Sequence, residues 1–161
     1  SMLAPKVVGR MLQALAIGPQ DRVLEIGTGS GYVTACLARL AARVISLEID
    51  PLLAARARET LAAEGAPRLE IREADGLAGP VEEDPFDAIA VTGSLPNDQV
   101  LPVLEGQLAP GGRLFVILGE EPVMEATLIT RYQGGALFRR GLFETAVPTL
   151  ANVAQTERFV F

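Results

Sequence analysis

Residues 23–32 read Val-Leu-Glu-Ile-Gly-Thr-Gly-Ser-Gly-Tyr, an apolar run that carries one acid and opens into glycines at Gly27, Gly29 and Gly31. This segment restricts the fold more than any other part of the chain. Its apolar half is a buried strand. Its glycines form a strand-to-helix turn, where a Cβ would forbid positive φ or block close approach of a ligand to the backbone. The helix expected from Gly31 to Leu40 points its first-turn N–H groups and positive dipole end back at that turn. Such a turn lets a nucleoside-bearing ligand sit directly on backbone. A dinucleotide fingerprint, G-x-G-x-x-G/A, would need glycine or alanine at position 32. Tyr32 stands there instead.

A coarse pass along the chain gives alternating helix and strand. Val7, Val8, Met11, Leu12 and Leu15 recur at helical spacing, and Gly18-Pro19 ends that helix. Strands are expected at Arg22–Ile26, Arg43–Glu48, Arg68–Glu73, Phe86–Val91 and Arg113–Leu118, with helices at Gly31–Leu40, Pro51–Glu64 and Asp98–Leu108 between them. Thr92–Pro96 reads as a turn, and Pro110-Gly111-Gly112 as the stop before the fifth strand. Ala126–Tyr132 and Phe138–Val147, split by Gly134-Gly135, read as a closing hairpin. The pattern predicts a single α/β domain over residues 1–161. Its architecture is a Rossmann-like, doubly wound, mostly parallel seven-stranded sheet with a C-terminal antiparallel hairpin. Sheets of this kind bind ligands at the carboxyl ends of their strands.

The acids at those ends have definable tasks. Glu48 closes the second strand 21 residues after Gly27, near the spacing of about 20 for an acid that grips a ribose. One ionised carboxylate there accepts from two vicinal hydroxyls. Asp50, directly before Pro51, suits the cap of the following helix. Ala74-Asp75-Gly76, after the third strand, reads by itself as an ordinary turn; in series with the glycine turn and Glu48 it would place an acceptor near an adenine amino group.

Composition narrows the classes further. Hydrophobic residues make up 49% of the 161, enough for a two-sided sheet to bury a core. The aliphatic runs are interrupted well short of a membrane span, and no signal peptide is recognisable, which points to the cytoplasm. The single cysteine, Cys36, excludes an internal disulfide and reads as a buried structural thiol. With no histidine and one cysteine, no metal site is expected. The net charge of −6 and the lack of a basic stripe disfavour nucleic acid. Arg139-Arg140 reads as a solvated strand end.

An acid two residues before G-x-G-x-G resembles motif I of the S-adenosylmethionine (SAM) methyltransferases. Further matches follow in order. They are Leu24 to Tyr32, Asp75-Gly76, Pro85-Phe86-Asp87 with Val91-Thr92, Gln107-Leu108 with Pro110-Gly111-Gly112, and Val147-Pro148 with Leu150. Together they resemble the protein-L-isoaspartate (D-aspartate) O-methyltransferase family, from about Ala4 to Leu150. The resemblance implies SAM as cofactor and S-adenosylhomocysteine (SAH) as product. It also implies methylation of the isoaspartyl carboxylate in damaged proteins or peptides. The expected cofactor residues are Glu25, Gly27, Thr28, Gly29, Ser30, Gly31, Tyr32, Glu48, Ile49, Ala74, Asp75 and Gly76. On the acceptor side stand Leu3, Pro5, Thr92, Gly93 and Ser94.

A carboxylate is already ionised at neutral pH, so its methylation requires no general base and no catalytic residue is assigned. Two departures bear on the acceptor. Family members present Ser-Xaa-Pro before the first helix, and here the place reads Leu3-Ala4-Pro5. They usually have Thr-Ala-Ala where this chain has Thr92-Gly93-Ser94. Members also carry a longer N-terminal helical region than this chain. The alternatives are methylation of a small molecule or nucleic acid, and a SAM-binding module without catalysis. Ser94-Leu95-Pro96-Asn97 does not supply the Asn/Asp-Pro-Pro-aromatic turn of DNA amine methylation.

Overall fold

The computed structural model describes residues 3–63, 65, 68–120, 122–146 and 150. Helix α1 (Pro5–Leu15) leads into β1 (Arg22–Ile26), α2 (Tyr32–Leu40), β2 (Arg43–Glu48), α3 (Pro51–Ala62) and β3 (Leu69–Glu73). Then come β4 (Phe86–Leu95), α4 (Leu101–Glu105), β5 (Leu108–Glu120), β6 (Val123–Arg131) and β7 (Leu137–Thr145). The strands form one sheet in the order β3-β2-β1-β4-β5-β6-β7. The first five run parallel, while β6 is antiparallel to β5 and β7 to β6. The expected architecture is the observed one.

Each face of the sheet has its own core. Val23, Val44, Ala88, Ala90, Phe115 and Ile117 pack against Val7, Val8, Met11 and Leu15 of α1 and Val33 and Leu37 of α2. The alternate residues Leu24, Ile45, Ile89, Val91, Leu114 and Val116 face Val81 of the β3–β4 connection and Leu101 and Leu104 of α4. Strands buried on both faces read as continuous apolar runs, which is why β1, β2 and β4 were legible in the sequence. Asp50 caps α3 as expected, accepting from the N–H groups of Leu52 and Leu53.

Strand order reverses between β1 and β4, so the chain leaves that point in both directions and opens a crevice at the carboxyl ends. The 74–85 connection is clamped beside it. Arg72 pairs with both Glu70 and Glu83, and Arg22 donates to the carbonyls of Glu83 and Pro85. The hydrogen-bonded Arg72 guanidinium, with the Arg43 charge adding, holds the Glu83 carboxyl down at about 2.

Several boundaries differ from expectation. Strand β4 continues to Leu95 instead of turning at Thr92. A register shift between Ala90 and Ser94 lets Ser94 and Leu95 pair with Ile117 and Leu118. Gly93 is buried in that strand because a Cβ there would come within 3.0 Å of Leu150 Cα. Helix α4 is one short turn, since Leu108 is taken into β5 as the partner of Phe86. Pro110-Gly111-Gly112 lies inside β5, where a Cβ on Gly112 would meet the Ala109 and Phe86 carbonyls. The hairpin strands start earlier than expected. Val147, Pro148 and Glu64 lie outside the described residues. Arg139 is within β7, not at its end, and its guanidinium lies 3.3 Å from Asp98 and 3.8 Å from Glu105. Cys36 is half-buried in α2. No helix among the described residues is long and apolar enough to cross a membrane.

Candidate functional site

The turn after β1 is built as its glycines require. Gly27, Gly29 and Gly31 all have positive φ, at 97°, 55° and 87°. Gly31 is the N-cap of α2. Three contacts hold the turn. The Gly27 N–H bonds to the Leu47 carbonyl at 2.9 Å. The Gly29 N–H donates to Glu48 Oε1 at 2.8 Å. Across the crevice, the Thr92 hydroxyl donates to the carbonyls of Ile26 and Gly27.

Leu3, Gly27, Thr28, Gly29, Ser30, Tyr32, Val33 and Thr92 line a cleft of about 30 Å³ at this point. Thr92 and Leu3 thus meet the cofactor-side turn, although they are 89 residues apart. Leu3 is buried (5% exposed) and belongs to the core beneath α1. Pro5, in the first turn of α1, is exposed. Tyr32 is half-exposed at the start of α2.

Glu48, Ile49, Ala74, Asp75 and Gly76 continue along the same carboxyl edge. Glu48 is 6% exposed; its Oε2 accepts from the Asp50 N–H at 3.0 Å, and its Oε1 from Gly29. Each oxygen keeps a lone pair for a further donor. The Glu48 carbonyl takes the Ala74 N–H at 3.0 Å, which joins the β2 and β3 ends. Asp75 accepts from the Leu77 N–H at 2.9 Å, and Gly76 packs so closely on Ile26 that a Cβ would fall 2.9 Å from its side chain.

Two expected site residues are placed less directly. Ser94 is fully buried, and its hydroxyl has no partner among the described residues. Glu25 lies behind the turn, wholly out of solvent. Its Oε1 accepts from the hydroxyls of Thr34 and Ser46, so a ligand in the cleft meets the turn's backbone and not this acid. Burial raises the Glu25 carboxyl to about 7, against the hydrogen bonds from Ser46 and Thr34 that lower it, and with the Glu48 charge adding to the rise.

That shift has a sign that can be measured. The folded protein holds the Glu25 proton up to about pH 7, whereas the unfolded chain releases it near 4.5. The folded state is therefore favoured most below 4.5 and loses that advantage as pH rises towards 7, by about 3 kcal/mol in total. Urea unfolding of the wild type and Glu25→Gln across this window should show stability falling only in the former. Parallel curves would contradict the assignment.

Leu150, Val33, Ser46 and Thr34 were not picked out as site residues in the sequence. A Cβ on Gly27 would come within 3.0 Å of Leu150 Cδ1, so Leu150 borders the turn. The Leu150 N–H bonds to the Ser94 carbonyl at 2.8 Å. Ser46 could have been found, as the one polar residue within Val44-Ile45-Ser46-Leu47.

A doubly wound sheet with a glycine turn and a strand-end acid at its switch point defines a nucleoside-binding α/β domain. The comparisons then identify the family. The family model described as protein-L-isoaspartate (D-aspartate) O-methyltransferase matches residues 1–151, and the chain belongs to that family. A protein-L-isoaspartate O-methyltransferase of Anaeromyxobacter dehalogenans is 53% identical over 117 residues, 72% of this chain and 55% of that protein. One from Koribacter versatilis is 40% identical over 149 residues, 92% of this chain and 66% of that protein. Among solved structures, a protein-L-isoaspartate O-methyltransferase superposes with a TM-score of 0.82 at 25% identity, covering 96% of this chain and 51% of that one. A Plasmodium falciparum structure in complex with S-adenosyl-L-homocysteine gives 0.74 at 24% identity, covering 91% and 74%. The chain spans about half the length of several of the curated relatives it matches.

Proposed function

We propose that this chain binds SAM along the carboxyl edge from Gly27 to Asp75 and transfers its methyl group to a carboxylate, that of an isoaspartyl residue in a damaged protein or peptide. The observation that carries the reading is Glu48. Two backbone N–H groups fix its carboxylate, and each oxygen retains capacity to accept from one hydroxyl of a ribose diol. The cleft at the glycine turn does not reach Glu48, Ile49, Ala74, Asp75 and Gly76, which would hold the nucleoside along the open edge. Gly27, Thr28, Gly29, Ser30, Gly31 and Tyr32 would hold the remainder. Bound there, SAM supplies an electrophilic methyl group on a sulfonium.

The chain's own contribution is alignment. An acceptor carboxylate is ionised at neutral pH, so no base is needed. Orientation of the reacting atoms alone is worth about 7–11 kcal/mol when it is good. Leu3, Pro5, Thr92, Gly93 and Ser94 form the acceptor side in this reading. Of these, Ser94 is enclosed within β4 and does not line the cleft, whereas Leu3 lines it and presents only hydrocarbon where an acceptor carboxylate would seek a donor.

The test is an acceptor comparison. Leu3→Ser should raise kcat/KM for an isoaspartyl peptide roughly tenfold or more, because a hydrogen bond to a charged group is worth about 1.5–3 kcal/mol. It should leave SAM affinity within about twofold. No gain, with the fold retained, would mean that this wall does not face the acceptor. The apolar wall also favours a second reading, in which the acceptor is less polar than an isoaspartyl carboxylate. Turnover of such a compound, with none on the peptide, would decide for it.

A further inference from the structure

Behind the glycine turn lies a string of hydroxyls that alignment of the methyl group does not use. Thr28 on the turn, Ser46 on β2 and Thr34 on α2 are all buried. Ser46 donates to Glu25 Oε1 at 2.6 Å, and Thr34 donates to the same oxygen. A hydroxyl has one proton, so Ser46, having directed its own to Glu25, accepts from Thr28 at 2.6 Å. The string is therefore directed from the turn to the acid.

Glu25 Oε2 has no partner among the described residues. It meets no donor that would hold a second share of negative charge, and no acceptor for a proton. Two donors on Oε1 support the anion, and complete burial supports the neutral acid. Little else decides between them. The α2 and β2 groups facing it are the hydroxyls of Thr34 and Ser46, β4 sets Ala90 beside it, and Glu48 is the charged group whose field acts on it. A new positive charge at the adjoining cleft would tip this balance.

We infer that Glu25 senses the charge of the bound cofactor, becoming more ionised when the sulfonium of SAM occupies the site and less so with the uncharged sulfide of SAH. The inference rests on the cofactor reading above. SAM and SAH differ by one methyl group and one positive charge, so their comparison isolates the effect. A unit charge on the order of 10 Å away, at an effective dielectric constant of about 20, is worth about one pKa unit. Since burial holds Glu25 near 7 in the free protein, the change falls at neutral pH. Linkage then requires SAM binding to release protons and to tighten as pH rises from about 6 to about 8. SAH carries the same ammonium and carboxylate but no sulfonium, so its binding does both to a smaller extent. Above neutrality the site thereby favours the cofactor over its product, and below it that preference is lost.

Calorimetric titration of the intact chain with SAM and with SAH, in buffers of different ionisation enthalpy, tests this. The ratio of the SAH Kd to the SAM Kd should rise roughly three- to tenfold from about pH 6 to about pH 8. SAM should release a larger fraction of a proton near pH 7 than SAH. In Glu25→Gln the ratio should be flat. A flat ratio in the wild type, or an equal rise in Glu25→Gln, overturns the inference and leaves SAM binding standing. If Glu25→Gln does not fold, the wild-type proton count decides: equal counts for SAM and SAH overturn it. Failure of the wild type to bind SAM at any pH would overturn the cofactor reading itself, and this inference with it.

Discussion

Replacing Glu48 by alanine should weaken SAM binding by roughly a hundredfold or more while the protein stays folded. Two contributions add. The carboxylate is the acceptor proposed for the ribose diol, and charge-assisted hydrogen bonds contribute about 1.5–3 kcal/mol each. It also holds the glycine turn, through the Gly29 N–H, and the β2–α3 junction, through the Asp50 N–H. Alanine frees both N–H groups, so the turn loses its anchor on the ligand side. The apolar cores do not depend on this residue, and Asp50 still caps α3, so the far-ultraviolet circular dichroism should be unchanged. Glu48→Gln keeps one acceptor oxygen and should fall between the two. Calorimetry with SAM measures the effect, and wild-type affinity in Glu48→Ala would remove the ribose assignment.

The largest expected loss of stability is that of Gly27→Ala. Its φ of 97° is unfavourable for an L-residue, which costs roughly 1–2 kcal/mol. The added Cβ would also lie 2.6 Å from Thr92 Oγ1 and 3.0 Å from Leu150 Cδ1. Thr92 cannot yield without giving up its bonds to the Ile26 and Gly27 carbonyls, which join β1 to β4 at the switch point. Overpacking of this kind adds about 1–3 kcal/mol. The sum predicts a Tm lower by roughly 5–15 °C together with loss of cofactor binding. Gly134→Ala is the control, because Gly134 has a φ of 88° with nothing within 4 Å of an added Cβ. It should show the backbone cost alone. Equal shifts for the two variants would mean that contact with Thr92 and Leu150 contributes nothing.

What was legible in the sequence was local. The glycine turn, Glu48 and the Asp50 cap depend on residues a few positions apart, and their backbone demands are visible as residue types. The mostly parallel, doubly wound architecture followed from the alternation of strands and helices, because parallel strands need crossovers of limited form. Gly93 and Pro110-Gly111-Gly112 were misread as turns because glycine and proline are ambiguous. Here Gly93 and Gly112 permit close backbone approach inside paired strands, to Leu150 and to the Ala109 and Phe86 carbonyls. The bonds from Thr34 and Ser46 to Glu25 arise between separate elements, and so does the position of Leu150. Nothing in the spacing of these residues announces that they meet. The acid before the glycines was legible as important, but its burial behind the turn was not, since an acid in an apolar strand reads the same whether it faces ligand or core.

The most direct test of the account is the fate of a labelled methyl group. The intact chain is incubated with methyl-labelled SAM and a peptide carrying one isoaspartyl linkage, beside the same peptide with the normal aspartyl linkage. Label is expected on the isoaspartyl peptide alone, released as methanol by mild base because a carboxyl methyl ester is hydrolysed. Base-stable label, equal labelling of both peptides, or tight SAM binding with no transfer to either would contradict it.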